Sequence, residues 1–335
     1  MKKLLLIILI SMLVLFTVAC GSNETSKPQS KSSDALTVYT TVYPLTYFTE
    51  RIGGENVNVQ SVYPAGSNEH TFDPTQKDMM SLADADLFFY IGLGLEGFVE
   101  NAKKTLANEN VSMIATADSV SDEELAVSEV QEDEHGHEEE SNEDEHAHEE
   151  ESHDDHDHGE IDPHLWISPK ISIQLASSIK DSLIEKDNEN ETLYTKNYEA
   201  LVTELKELDA AFLEMANASE NKTFFVSHAA FGYLAKDYGL EQMAVAGLNS
   251  QDEPSQKELT ELVDLAEEKN IKTILFEQNV TSNLAKVIQT EVGAEALTMH
   301  NLGVLMQQDI ENNETYFTLM KQNLETLEKA LQSSN

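Results

Sequence analysis

The hydrophobic pattern divides the chain into short strand candidates and longer helical segments. Alternation of apolar and polar residues predicts half-buried strands, and short unbroken apolar runs predict strands that are buried on both faces. Such strands are predicted at Leu36–Tyr43, Val57–Tyr63, Asp86–Gly92, Val111–Ala115, Thr223–Ser227, Gln242–Ala246, Lys272–Phe276 and Ala296–Met299. Helices are predicted at Pro44–Ile52, Leu95–Asn108, Glu191–Ala216, Ser255–Lys269, Ser282–Val292 and Tyr316–Gln332.

The longest helical segment carries one apolar face along its whole length. Its apolar residues are Tyr194, Tyr198, Leu201, Leu205, Leu208, Phe212 and Met215, separated by steps of three and four residues. At about 1.5 Å per residue, this helix is roughly 40 Å long. A helix of that length favours an element that packs across both halves of the molecule. We therefore predict an α/β fold with parallel sheets in two lobes, bridged by a long α-helix.

The N-terminus has the pattern of a secretory signal. Lys2 and Lys3 precede an apolar run over residues 4–19, which is short for a bilayer that needs about 20 residues to span. The next residue, Cys20, is the only cysteine of the chain, and residues 17–20 resemble a bacterial lipobox. We predict a signal peptide over residues 1–19, a lipidated Cys20 and a polar tether to residue 35. Disulfides and thiolate ligands are thereby excluded, so a metal site would need nitrogen and oxygen donors.

A segment rich in histidine and acidic residues interrupts the pattern over residues 131–160. It holds sixteen Asp or Glu residues and seven histidines: His135, His137, His146, His148, His153, His156 and His158. Such a composition predicts disorder, and imidazoles at this spacing suit zinc. The alternative is an acidic, solvated loop with no metal. The net charge of the chain is −41, which argues against nucleic acid as a partner.

Four further histidines lie outside this segment and follow predicted strands or an ordered loop. His228 and His300 come directly after strands, His70 follows the strand that ends at residue 63, and His164 lies in the loop Asp-Pro-His-Leu-Trp. Ligands of open α/β sheets bind at the carboxyl ends of strands, so these positions favour a metal site. Imidazole donors favour zinc, whereas manganese sites rely on carboxylates.

Three motifs carry a resemblance to a known family. They are the sequence YPAGSNEHTFDPT at residues 63–75, DPHLW at residues 162–166 and SHAAFGY at residues 227–233. With the acidic histidine tract between the first two, the chain resembles the zinc-specific receptor lipoproteins of bacterial ABC importers over its whole length. The resemblance implies one zinc ion in the cleft between the lobes. It also implies that His70 and His164 come from the first lobe and His228 from the second.

The resemblance leaves the fourth ligand open. Related receptors often supply a Glu at the position that Gly303 occupies here. His300 is the predicted substitute, Glu277 is either an alternative ligand or a residue that orients a histidine, and a bound water is the third option. The predicted domains are a first lobe over residues 36–188 with a disordered insertion at 121–160, a linking helix over 189–217 and a second lobe over 218–335.

The predicted function is capture of Zn²⁺ outside the cell and its delivery to an ABC permease with its ATPase. The protein is expected to be a non-enzymatic monomer, anchored by its lipid to the outer face of the bacterial cell membrane. Because ligation requires neutral imidazoles, zinc affinity should fall below about pH 6.5. The alternatives are a manganese receptor of the same class, a zinc-dependent hydrolase, and an adhesin or metal buffer. The absence of an H-E-x-x-H motif argues against the hydrolase.

Overall fold

Two four-stranded sheets, each parallel throughout, form the frame of the protein. The computed structural model describes residues 35–125, 161–252, 254–279 and 282–332. The strands are β1 (Leu36–Thr40), β2 (Val57–Ser61), β3 (Leu87–Tyr90), β4 (Ser112–Ala115), β5 (Thr223–His228), β6 (Glu241–Ala246), β7 (Thr273–Phe276) and β8 (Glu295–Thr298). The sheet orders are β2-β1-β3-β4 and β6-β5-β7-β8. Each predicted strand is present, and the predicted fold class is confirmed.

Helices connect the strands and cover the sheets. They are α1 (Tyr43–Gly53), α2 (Gln76–Ala83), α3 (Val99–Thr105), α4 (Asp122–Leu125), α5 (Pro169–Lys186), α6 (Glu191–Ala218), α7 (Gly232–Asp237), α8 (Gln256–Glu268), α9 (Asn283–Val292), α10 (Gln307–Asn312) and α11 (Tyr316–Gln332). Helices α2, α4, α5, α7 and α10 are not among the predicted elements. Helix α4 lies within the predicted disordered insertion, and its Leu125 is buried, so order extends further into that segment than predicted.

Helix α5 is long, and its sequence signals are clear. The side chain of Ser168 accepts a hydrogen bond from the backbone N–H of Ile171, and Pro169 occupies the first turn, as is common at helix starts. The buried apolar residues that follow are Ile171, Leu175, Ile179 and Leu183, four positions apart. These signals predict a helix by the ordinary rules. The absence of α5 from the predicted helices was therefore wrong, although the sequence carries the signals for it.

Helix α6 is the predicted bridging helix, and it contacts both lobes. Six residues of its predicted apolar face are buried, and Tyr198 is half-buried. On the side of the first lobe, the Asn197 amide donates to the Ile52 carbonyl, 2.9 Å away. On the side of the second lobe, Phe212 stacks on Tyr238 with ring centroids 5.5 Å apart. The helix therefore packs against elements that belong to both sheets.

One apolar core runs through both lobes and includes the buried face of α6. It contains Val38 and Phe88 of the first sheet and Val226 and Leu275 of the second. A second, smaller cluster lies on the other side of the second sheet, where Phe225 packs with residues of α9. Strand β5 is thus buried on both faces, which accounts for a sequence that does not alternate between buried apolar and exposed polar residues.

Several predictions lie outside the described residues. They concern the signal peptide, the lipidated Cys20, the tether and the seven histidines of residues 131–160. The predicted domain boundaries also remain predictions. None of the helices in the described ranges has the length and apolar character of a membrane span.

Candidate metal centre

Three of the predicted histidines meet between the two sheets. His70 lies in the loop after β2, His164 directly precedes a short 3-10 turn, and His228 is the last residue of β5. One ring nitrogen from each of them lies within 4.8 Å of the corresponding atoms of the other two. His164 and His228 are buried, and His70 is half-buried. The structure thus brings together ligand candidates from both lobes, as the resemblance implies.

The spacing of the rings suits a single small cation. His70 Nε2 lies 3.2 Å from His164 Nε2, and the centroids of the three rings are 4.9–5.2 Å apart. Two nitrogens bound to one tetrahedral zinc at about 2.0 Å each lie roughly 3.3 Å apart. The His70–His164 pair already has this spacing. The site can therefore hold a zinc ion with small adjustments of the rings.

Asp162 fixes the orientation of His164. Its Oδ1 atom accepts hydrogen bonds from the backbone N–H of His164 at 2.8 Å and from ring Nδ1 at 2.7 Å. A carboxylate only accepts, so Nδ1 carries the proton, and Nε2 is the nitrogen that faces His70. A carboxylate behind a histidine ligand is a common arrangement at zinc sites, because it sets the tautomer and raises the basicity of the ring.

His228 has hydrogen-bond acceptors at both ring nitrogens. Nδ1 donates to Glu277 Oε1 at 2.8 Å, and Nε2 donates to the backbone carbonyl of Leu248 at 2.9 Å. Burial alone would lower the pKa of His228, but the charge and hydrogen bond of Glu277 outweigh it and raise the pKa to about 9. The ring is therefore protonated at neutral pH when it holds no metal, and its charge is balanced by Glu277.

The ring of His70 has the opposite environment. Burial and the positive charges of His164 and His228, when these are protonated, lower the pKa of His70 to about 2. Its backbone N–H donates to Asn68 Oδ1 at 2.9 Å, which fixes the loop. His70 is thus a neutral imidazole throughout the physiological range, and it is ready to bind a metal.

The structure does not bring His300 into this group. Its Nδ1 accepts the backbone N–H of Leu302 at 2.9 Å, and its Nε2 donates to Asp309 at 3.1 Å. Its backbone N–H and carbonyl both bond to the side chain of Asn323, at 2.7 Å each. The hydrogen bonds of the buried His300 therefore link the segment after β8 to helices α10 and α11.

Glu277 lies behind His228 and is buried. Its Oε1 accepts from the histidine, whereas its Oε2 is buried without a hydrogen-bond partner among the described residues. Of the two roles considered for Glu277 from the sequence, the hydrogen bond matches that of a residue that orients a histidine ligand.

Glu69 is a buried carboxylate that the sequence interpretation missed. Its side chain is 2 % exposed, and its oxygens accept from Asn301 at 2.8 Å and Asn279 at 3.3 Å. Burial and the charge of Glu277 raise the pKa of Glu69 to about 7. A Cβ atom on Gly303 would lie 2.5 Å from its Oε1, so Glu69 fills the space of a side chain at that position. The only sequence signal was an acidic residue next to His70.

Comparison with known proteins identifies the family. The model of the family described as ZnuA, zinc-uptake complex component A, periplasmic, matches residues 38–330. The chain belongs to this family. Among its relatives, the high-affinity zinc uptake system protein ZnuA of Bacillus subtilis (strain 168) is 33% identical over 317 residues, which cover 95% of this chain and 94% of the relative.

Solved structures similar to this chain have the same fold. Zn(II)-bound AdcA from Streptococcus pneumoniae matches with a TM-score of 0.70 and 30% identity, over 89% of this chain and 58% of that one. This chain thus spans little more than half of AdcA. A mutant of the laminin-binding adhesin Lmb from Streptococcus agalactiae matches with a TM-score of 0.73 and 27% identity, over 89% of this chain and all of the other. The predicted family and its zinc-uptake function are confirmed.

Proposed function

We propose that this protein captures Zn²⁺ in the cleft between its lobes and delivers it to an ABC permease. The convergence of His70, His164 and His228 carries this proposal, because their ring nitrogens lie within 4.8 Å of one another. A carboxylate stands behind two of the three rings, which is typical of histidines that bind zinc. Neutral nitrogen donors favour zinc over manganese.

Binding requires a rearrangement at His228. Its Nε2–H donates to the Leu248 carbonyl, so the ring must release this proton to solvent and give up this bond before it ligates zinc. Glu277 keeps the Nδ1 proton in place and holds the ring as it does so. Zinc then replaces the proton as the positive charge beside Glu277.

Glu69 is the fourth donor in this proposal. Both ring nitrogens of His300 are engaged elsewhere, and Glu277 is engaged with His228. Glu69 precedes His70 in the chain, and its carboxylate is buried among two neutral amides while its charge acts on His228. A divalent cation beside it would offset the cost of burying this charge. An exchange of an asparagine bond for a zinc–oxygen bond would complete a site of three nitrogens and one oxygen.

Membrane anchoring and the histidine-rich segment complete the proposed function. The lipid on Cys20 would anchor a monomeric receptor to the outer face of the cell membrane, and the tether would let the lobes reach the permease. The histidines of residues 131–160 would collect zinc near the cleft. The protein would bind and release its cargo without a chemical reaction.

The test uses the soluble protein from Ala35 onward, with residues 131–160 replaced by a Gly/Ser linker. Metal analysis and chelator competition should show one tightly bound zinc. We expect H228A to lose tight binding, and E69Q to weaken it by about 10–100-fold, as changes around a zinc site commonly do. X-ray absorption should detect three nitrogen donors and one oxygen donor from a carboxylate, with the oxygen signal altered in E69Q.

H300A is the matched control, because it removes a buried histidine that lies outside the group. Its zinc affinity should equal that of the parent protein. Tight binding that survives H228A would contradict the cleft site. Loss of all tight binding on removal of residues 131–160 would contradict capture by the cleft and leave the loop as the metal site.

A further inference from the structure

Asp162 makes a second contact that the ligation of zinc does not explain. Its Oδ1 accepts both bonds from His164, while its Oδ2 faces the backbone of Gly232 in the second lobe. A Cβ atom on Gly232 would lie only 2.8 Å from this oxygen, which is closer than Cβ atoms approach other groups. The carboxylate thus packs directly against a glycine at the start of α7.

The backbone conformation of Gly232 does not require glycine. The glycines with positive φ in the described chain are Gly54, Gly66, Gly92, Gly94, Gly239 and Gly293. Gly232 is absent from this set, so an alanine could adopt its φ without strain. The reason for glycine at this position is therefore the close approach of Asp162.

The contact between Asp162 and Gly232 links the two chain segments that carry the zinc ligands His164 and His228. Gly232 follows His228 by four residues and is the first residue of α7, and Asp162 precedes His164 by two residues. A further bond ties the same segments, since the hydroxyl of Tyr233 donates to the backbone carbonyl of Asp162 at 2.8 Å. Asp162 and Tyr233 are both almost fully buried, so this junction has little freedom to shift.

We propose that Asp162 is a positioning residue that sets His164 at a fixed distance from His228 by docking on Gly232. One oxygen of the carboxylate determines which nitrogen of His164 is free to bind zinc. The other oxygen packs against Gly232 and so positions the loop that carries His164 relative to the second lobe. Gly232 is then a determinant of zinc affinity although it has no side chain and touches no metal. This inference rests on the proposed function, because it assumes that both histidines bind the same zinc.

The test compares zinc affinities of variants of the mature protein by competition with a strong chelator, which leaves weaker sites on the acidic segment unoccupied. G232A should bind zinc about 10–100-fold more weakly, because the new methyl group displaces the carboxylate that supports His164. G97A is the matched control: Gly97 is exposed, has no positive φ and has open space around its Cβ position. Its affinity should stay within about twofold of the wild type.

A double-mutant cycle tests whether the glycine acts through the carboxylate. In the D162A background no carboxylate remains to be displaced, so adding G232A should lower zinc affinity little further. Histidine ¹⁵N NMR of the metal-free protein should show His164 with its proton on Nδ1 in the wild type, and a mixture of tautomers in D162A and G232A. A merely structural role of the glycine would not change this tautomer.

Two results would overturn the proposal: wild-type affinity in G232A, or an undiminished penalty of G232A in the D162A background. If G232A fails to fold, D162N decides, because it preserves the shape of Asp162. Unchanged affinity and an unchanged His164 tautomer in D162N would then refute the positioning role. Retention of tight binding by H228A would instead refute the cleft site itself, so the two failures can be told apart.

Discussion

At the scale of single residues, the three histidines differ in charge although they share one site. Burial holds His70 neutral, with a pKa of about 2, whereas Glu277 outweighs burial at His228 and raises its pKa to about 9. Asp162 selects the proton position of His164. The protonation of each ring is thus set by a different feature of its surroundings. The shared expectation of about pH 6.5, drawn from ordinary histidines, does not describe His228.

We predict that zinc binding at pH 7 releases about one proton per ion from His228, since the ring is protonated when metal-free, and a further fraction of a proton from Glu69, whose pKa is about 7. Affinity should fall by up to about tenfold per pH unit as pH drops below 9, and more steeply below about pH 7, where Glu69 is protonated as well. The charged or titratable groups that face this ring are Glu277, Glu69, His70 and His164. Calorimetry in two buffers of different ionisation enthalpy measures the protons released.

E277Q should reduce this release, because it removes the charge that raises the pKa of His228. E100Q, at a fully exposed carboxylate, should leave it unchanged. Equal proton release in E277Q and the wild type would contradict the assignment. The same pair affects folding: since the folded pKa of His228 is raised above 6.5, its stabilisation of the metal-free protein is complete below pH 6.5 and is lost as pH rises through about 9.

At the scale of elements, α6 is the member on which both lobes pack. It contacts α1 and α5 as well as α11, and its buried face belongs to the core that includes both sheets. The ion pair between Arg51 and Glu204 adds a contact at its half-exposed edge, which contributes little beside the apolar burial. The stability of α6 comes from packing, because its apolar face is buried only when the two lobes are assembled around it.

We predict that Leu205→Ala lowers the free energy of unfolding by about 2–5 kcal/mol, through lost burial and the cavity left behind. Leu205 is fully buried in α6. Leu213 lies on the same helix and is 46% exposed, so Leu213→Ala should change stability by no more than about 0.5 kcal/mol. Urea denaturation of the metal-free proteins measures both. Similar losses for the two variants would contradict the assigned packing face.

At the scale of the whole molecule, the cleft draws ligands and supports from segments far apart in the chain. His70 and His164 face His228 across the boundary between the two sheets, and Glu69 bonds Asn279 and Asn301 of the second lobe. Each lobe supplies only part of the site. Under the proposed function, zinc would bind the assembled protein and not an isolated lobe, so binding and folding would be coupled.

We predict that free zinc at 1,000 times its Kd stabilises the protein by about 4 kcal/mol, because it binds the folded state and not the unfolded chain. The thermal midpoint should rise accordingly, and a chelator should reverse the rise. H228A should show no comparable rise. In H300A, zinc should raise the thermal midpoint by as much as in the wild type, measured from the midpoint of H300A without zinc. An equal rise in H228A would locate the stabilising zinc outside the cleft.

The sequence by itself determined the strands, the bridging helix, the class of fold and the three histidines that meet. The strands, the helix and the fold class follow from local periodicity. The rule that parallel strands present ligands at their carboxyl ends favoured four histidines, including His300, and the resemblance to the zinc receptors assigned His70, His164 and His228 to the cleft. Helix α5 was also predictable, since Ser168, Pro169 and the apolar residues after them carry its signals.

Only the tertiary structure decided the supports of the site. It placed His300 against Asp309, Glu69 against Gly303 and Asp162 against Gly232. The residues of the last two pairs lie far apart in the sequence, and periodicity reports only which face a residue occupies. Whether a buried carboxylate meets an imidazole, an amide or a bare glycine depends on how separate elements pack, so this part of the site emerged only when the lobes came together.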